Sequence, residues 1–217
     1  FMEERKNTGR IYLQNVDNAN EHGSFLPDVA PIKQSNLCAE IDLPTKPLKD
    51  LNDPEGEISL CTLSAINWGN IKDPSDFEKV CRLAVRGLDA LLSYQNYPIL
   101  AAQLSTEKRR PLGVGIINFA YWLAKRDMNY QDVDATGLAL IDEYAEAWSY
   151  YLIKASADLA AEQGAPSGNM ETKYGHGITP NQTYKKDVDE LVPHMERMDW
   201  EGLREQLKTT GIRNSTL

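Results

Sequence analysis

Gln34-Ser35-Asn36-Leu37-Cys38-Ala39-Glu40-Ile41, followed by Leu43-Pro44-Thr45, is the stretch on which the reading of this chain turns. It sets a thiol between an amide and a carboxyl group. Around it, from Asp17 to Asp53, lie Pro27, Pro31, Pro44 and Pro47 and no sustained 3.6-residue period, so the segment reads as irregular. Irregular segments longer than about 12–15 residues are uncommon inside compact domains unless they serve function. Chemistry is therefore expected here.

Working outward, Gly9 to Val16 is β-branched and aromatic with rough alternation and predicts a strand. After the turn-like Asn52-Asp53-Pro54-Glu55-Gly56, the run from Ile58 to Ile66 alternates and predicts another. A helix is expected from Pro74, with Asp73 as its cap and Pro74 in the first position. Phe77, Val80, Cys81, Ala84, Leu88, Leu91 and Leu92 make its apolar face, and Pro98 ends it. Lys108-Arg109-Arg110 leads into Leu112-Gly113-Val114-Gly115-Ile116-Ile117, an apolar strand or strand-to-helix turn, and a helix over 118–125 follows. The longest helix is read from Ala135 to Gln163 with Gly164 as its stop. Residues 165–183 read as a second long loop, with polar helices near 185–191 and 199–209. Strands separated by helices imply an α/β fold, with helices covering a mostly parallel sheet. No internal boundary divides residues 1–217, and the chain reads as an excerpt of a longer polypeptide.

The 217 residues are 41% hydrophobic and 25% charged, the composition of an ordinary globular domain. A net charge of -9 opposes binding to a nucleic-acid polymer. No run reaches the roughly 18 apolar residues of a membrane helix, so no membrane association is expected, and a cytoplasmic location is. Cys38, Cys61 and Cys81 are too few and too far apart for a disulfide framework or a structural zinc site, and no metal or cofactor is expected on this chain.

The Asn36–Glu40 stretch, then Leu60-Cys61-Thr62-Leu63-Ser64-Ala65, then Leu112-Gly113-Val114-Gly115 with Asn118-Phe119-Ala120-Tyr121, and last Arg213-Asn214-Ser215, occur in one order. Together they resemble the large catalytic (alpha) subunit of class I ribonucleotide reductases, in the branch common in bacteria and their phages. The resemblance covers the chain from about Gly9 onward. It implies part of a ten-stranded α/β barrel, with a finger loop at about residues 30–43 that carries the radical cysteine. By that resemblance Cys38 holds the thiyl radical that removes the 3′ hydrogen of the substrate ribose. Glu40 is the general base for the 3′ hydroxyl, and an extended backbone would point both side chains at one sugar. Asn36 adds amide hydrogen bonds to the ribose hydroxyls. Cys61 is half of a redox dithiol whose partner cysteine is expected on a strand upstream of Phe1.

The resemblance also implies a ribonucleoside diphosphate substrate, thioredoxin or glutaredoxin as dithiol reductant, and a small subunit whose metal cofactor generates the radical. A homodimer of the complete subunit is implied, in the cytoplasm, or the host cytoplasm if phage-encoded. Alone, this chain should be inactive. The alternative from a different class is a non-catalytic assembly or regulatory fragment of a split reductase subunit.

Plainer readings stand beside these. An isolated cysteine is usually a small buried hydrophobe, and Cys81 on its apolar helix face is read that way. Gly113-Val114-Gly115 lacks the third glycine of a dinucleotide fingerprint, because Asn118 stands there, and is read as a tight turn. His22, His176 and His194 have no ligand-like spacing and are read as surface or locally hydrogen-bonded groups. The aromatic residues of the long helix are read as core.

Overall fold

Two short helices, α1 (Met2–Thr8) and α2 (Val16–His22), open the structure, a computed structural model that describes residues 1–192 and 194–217. Neither was expected. The strand read over 9–16 does not form. Gly9 takes a left-handed φ of 67° and donates its N–H to Arg5 O, ending α1, while Val16 starts α2 inside the stretch read as irregular. Alternation alone does not make a strand where no neighbour offers a ladder.

β1 (Thr62–Asn67) begins four residues later than the alternation suggests, because the segment before it bonds elsewhere. Glu57 exchanges both backbone hydrogen bonds with Lys46, and Ile58 N–H donates to Ala101 O. The chain then passes through α3 (Asp76–Tyr94) and α4 (Leu100–Arg109) to β2 (Leu112–Ile117). β1 and β2 pair in parallel, with Leu63 opposite Gly113 and Ile66 opposite Ile116. This is a β-α-β crossover, and it is the one sheet among the described residues.

Three details of the crossover differ from expectation. Ser75, not Asp73, is the N-cap residue of α3, and Pro74 lies in the turn before it. Asp73 Oδ1 accepts from Ser75 N–H and Oγ–H, while Asp76 Oδ2 accepts from the N–H groups of Lys72 and Asp73. Leu91, read as apolar face, is half-exposed, and Val85 is buried instead. α4 was not foreseen, since its sequence Leu-Ala-Ala-Gln-Leu-Ser-Thr-Glu-Lys-Arg has only a weak apolar stripe. It ends at Arg110, whose φ of 46° turns the chain into β2.

α5 (Phe119–Ala124) and α6 (Ala135–Gln163) follow as read. Asp134 caps α6 by accepting from Gly137 N–H at 2.7 Å, and Gly164, at φ 84°, ends it. The strand-to-helix turn lies at Asn118 (φ 65°), so Gly113 and Gly115 belong to β2 and not to a turn. The 165–183 loop contains α7 (Pro180–Thr183) and two single helical turns. Near 185–191 there is one short 3-10 turn, Lys186–Glu190, and α8 (Trp200–Thr210) completes the set.

Phe77, Cys81, Val85, Leu88 and Leu92 of α3 pack between Ile66, Leu112 and Val114 of the strands and Tyr144, Ala147, Leu152, Ala155 and Leu159 of α6. Each large apolar side chain fully buried here contributes about 1.5–3 kcal/mol, and together they fix the sheet against α3. The opposite side of α6 buries Tyr150, Ile153 and Ala157 against Trp200, Leu203, Leu207 and Ile212. A third, smaller cluster of Phe25, Ala30, Ile32 and Leu43 lies under the Cys38 loop, with Ile41 and Cys61 against it.

Candidate active site

The Cys38 loop is closed at its neck and braced from within. Ser35 and Asp42 form an isolated antiparallel bridge, and Ser35 Oγ–H donates to Ile41 O at 2.8 Å. Asn36 organises the interior. Its carbonyl accepts from Ala39 N–H, and its Oδ1 accepts from the N–H groups of Glu40 (3.1 Å) and Ile41 (3.2 Å). Its Nδ2 donates to Glu40 Oε1 at 2.6 Å. Asn20 of α2 grips the loop base by donating to Ile32 O and accepting from Ile32 N–H.

Ala39 is held at φ 59° within this turn, so Cys38 and Glu40 are not joined by extended backbone as expected. The amide of Asn36 offers the local backbone a turn in place of extension. Leu37 and Cys38 form the exposed tip, and Asn36 is also exposed.

Glu40 and Cys61 meet on one cavity of about 410 Å³. Glu40, Ile41 and Asp42 of the loop form one side, Cys61, Leu63, Gly113 and Gly115 the floor, and Thr216 and Leu217 a further wall. Cys38 and Asn36 are not among its lining residues. The floor is the sheet face opposite α3, and Gly113 keeps it low. A Cβ at Gly113 would lie 2.6 Å from Leu63 Cδ2 and 3.4 Å from Cys61 Sγ. Gly113, Leu63 and Thr216 were given no site role from the sequence, because only the parallel register opposes Leu63 to Gly113.

Burial pushes the Cys61 thiol up to about 12, and the Glu40 carboxylate adds to the rise. At neutral pH Cys61 is therefore a protonated thiol, poor as an anionic nucleophile but holding a hydrogen to give. Cys81 is fully buried in the main core, and burial raises its thiol to about 12 as well.

The histidines make local contacts. Nδ1 of His22 lies 2.6 Å from Thr183 O, Nε2 of His176 lies 3.2 Å from Met170 O, and Nδ1 of His194 lies 2.9 Å from Asp142 Oδ1. A second cavity, of about 390 Å³, lies between α6 and the segment before α8, and its acids are already engaged. Asp142 pairs with His194 and Arg197, and Glu146 accepts from the N–H groups of Arg197 and Met198 and from Trp200 Nε1–H. Among the described residues no group of three or more His, Cys, Asp and Glu is placed to hold a metal ion, and no helix is long and apolar enough to cross a membrane.

The family model of the ribonucleotide reductase barrel domain matches residues 1–217. The chain belongs to this family. It is 54% identical over 217 residues to the ribonucleoside-diphosphate reductase subunit alpha of Haemophilus influenzae and 56% identical to the ribonucleoside-diphosphate reductase 1 subunit alpha of Escherichia coli. It is 45% identical over 220 residues to the subunit alpha of Enterobacteria phage T4. All of this chain is covered in each case, but it spans only 28% of the length of these reductase subunits. Membership of the barrel family agrees with the parallel β-α-β unit and with the α/β class read from the sequence.

Proposed function

We propose that this chain carries the thiyl-radical centre of a ribonucleoside-diphosphate reductase large subunit, on a finger loop within the ten-stranded barrel of the complete domain. The observation that carries the reading is the meeting of Glu40 and Cys61 on one cavity, one side of which is formed by residues 40–42 of the loop that carries Cys38. These groups come from separate segments and supply the base and the reducing thiol that ribose reduction requires.

In this reading the Cys38 thiyl radical takes the 3′ hydrogen atom, so that an S–H bond forms and a carbon radical remains. Glu40 takes the 3′ hydroxyl proton. The 2′ hydroxyl leaves as water, its C–O bond is replaced by C–H, and the two electrons and two hydrogens come from Cys61 and a partner cysteine outside this chain, which become a disulfide. Cys38 then returns its hydrogen to the 3′ carbon and becomes a thiyl radical again, while Glu40 gives its proton back to the 3′ oxygen. The raised thiol of Cys61 supports this role, because it keeps the proton that the departing hydroxyl needs. Asn36, whose amide braces Glu40, adds hydrogen bonds to the ribose hydroxyls once substrate enters.

The partners of this reading are a ribonucleoside diphosphate, a small subunit whose metal cofactor supplies the radical, thioredoxin or glutaredoxin, and a second copy of the complete subunit, all in the cytoplasm. The test uses the complete large subunit with its small subunit. Cys38→Ser abolishes deoxynucleotide formation while nucleotide binding persists, because a hydroxyl gives up its hydrogen atom far less readily than a thiol. Cys61→Ser stops multiple turnover with the dithiol reductant. Substantial turnover by Cys38→Ser sinks the reading.

A further inference from the structure

One wall of the cavity is held by a buried polar network that the chemistry above does not use. Asn214, fully buried, spends its whole amide on three elements. Its Nδ2 donates to Asp89 Oδ1 (2.9 Å) on α3 and to Arg110 O (3.0 Å) at the end of α4, and its Oδ1 accepts from Ser156 Oγ–H (2.9 Å) on α6. Asp89, 3% exposed, also accepts from Arg110 Nε–H at 2.7 Å and from Arg213 Nε–H at 3.4 Å. Beyond this knot the chain runs along the start of β2. Ser215 N–H donates to Arg109 O, Leu112 N–H to Thr216 O, and Thr216 Oγ–H to Leu112 O. The next side chains, Thr216 and Leu217, line the cavity with Glu40 and Cys61.

We propose that Asn214, with Asp89, Arg110 and Ser156, is a positioning device that sets the Thr216–Leu217 wall of the cavity and so fixes how substrate lies against Cys61. A hydrophobic core could hold the segment loosely in several registers. An amide with all its bonds satisfied by α3, α4 and α6 admits one, since any slip leaves buried donors and acceptors unpaired. The substrate half of this inference rests on the reading under Proposed function, whereas the wall half does not.

The experiment uses the complete reduced subunit and iodoacetamide, following Cys61 and Cys81 separately by peptide mass spectrometry. Asn214→Ala is expected to raise the Cys61 alkylation rate about tenfold with Cys81 unchanged, and Ser156→Ala, which spares the bonds to Asp89 and Arg110, by a smaller factor. Leu123→Ala, a cavity in the main core that leaves the Asn214 hydrogen bonds intact, is the control for general loosening, and Ser156→Ala keeps the test open if Asn214→Ala does not fold. An unchanged Cys61 rate, or Cys61 and Cys81 rising together as in the control, overturns the proposal. Equilibrium binding of a ribonucleoside diphosphate should weaken about tenfold in Asn214→Ala, because a displaced wall no longer fits the bound ligand. Unweakened binding with an opened Cys61 overturns the substrate half alone. Turnover by Cys38→Ser would instead strike the radical reading, whatever Cys61 does.

Discussion

Glu57→Gln should release α4 locally while the main core stays closed. Glu57 is 7% exposed, and its carboxylate accepts from Arg109 Nη1–H at 2.8 Å and Lys108 Nζ–H at 3.1 Å, with Lys46 Nζ at 3.4 Å. Arg109, 3% exposed, keeps one other acid, Glu171, at 2.8 Å from its Nε. Removing one partner of a buried ion pair costs about 3–5 kcal/mol, and the surviving bond to Glu171 puts this case near the lower end, about 3 kcal/mol. That corresponds to a rise on the order of a hundredfold in the exchange rate of α4 amides that open locally. Hydrogen exchange on the complete subunit would read it, with the α3 amides as internal reference.

The sign with pH follows. Burial alone would raise the Glu57 carboxyl, but its bonds to Arg109 and Lys108 outweigh burial and hold it below the usual range. Its contribution is therefore present above the unfolded carboxylate value of about 4.3 and is lost as pH falls through the lower folded value. Wild-type α4 should lose protection in that acid window, and the Gln variant should lack that step. Equal α4 exchange in the two proteins at pH 7 would refute the argument.

Cys61 should be alkylated slowly at pH 8, its rate climbing about tenfold per pH unit towards its raised value near 12, and Glu40→Gln should shift that profile to lower pH. A profile centred near 8.5, that of an unperturbed thiol, would contradict the buried setting. Asp134→Ala removes the cap of α6 and should cost about 1 kcal/mol, visible as faster exchange in the first turn of that helix; an unchanged rate there would show the cap to be idle.

The elements legible in advance were those whose signals are local. α6 was read over its full range because apolar residues recur along one unbroken helical run that Gly164 stops. β2 and α5 were legible from an apolar run meeting a turn. Failures came where the deciding partner is distant in sequence. The run at 10–15 has strand composition but no ladder, α4 has a weak stripe, and β1 loses its first residues to bonds with Lys46 and Ala101. At the site, Asn36, Cys38, Glu40 and Cys61 were named from their motifs, whereas Gly113, Leu63, Thr216 and Asn214 were not given site roles.

Taken alone, the order of residues determined the family, the α/β class and the long helices and named the candidate reactive side chains, because motifs, caps and periodicity are properties of neighbours along the chain. The tertiary structure decided which groups share a cavity, that Ala39 turns rather than extends the loop, and that Asn214 ties the far end of the chain to α3, α4 and α6. Those outcomes depend on hydrogen bonds and burial between segments as much as 125 residues apart, and such pairings leave no local trace.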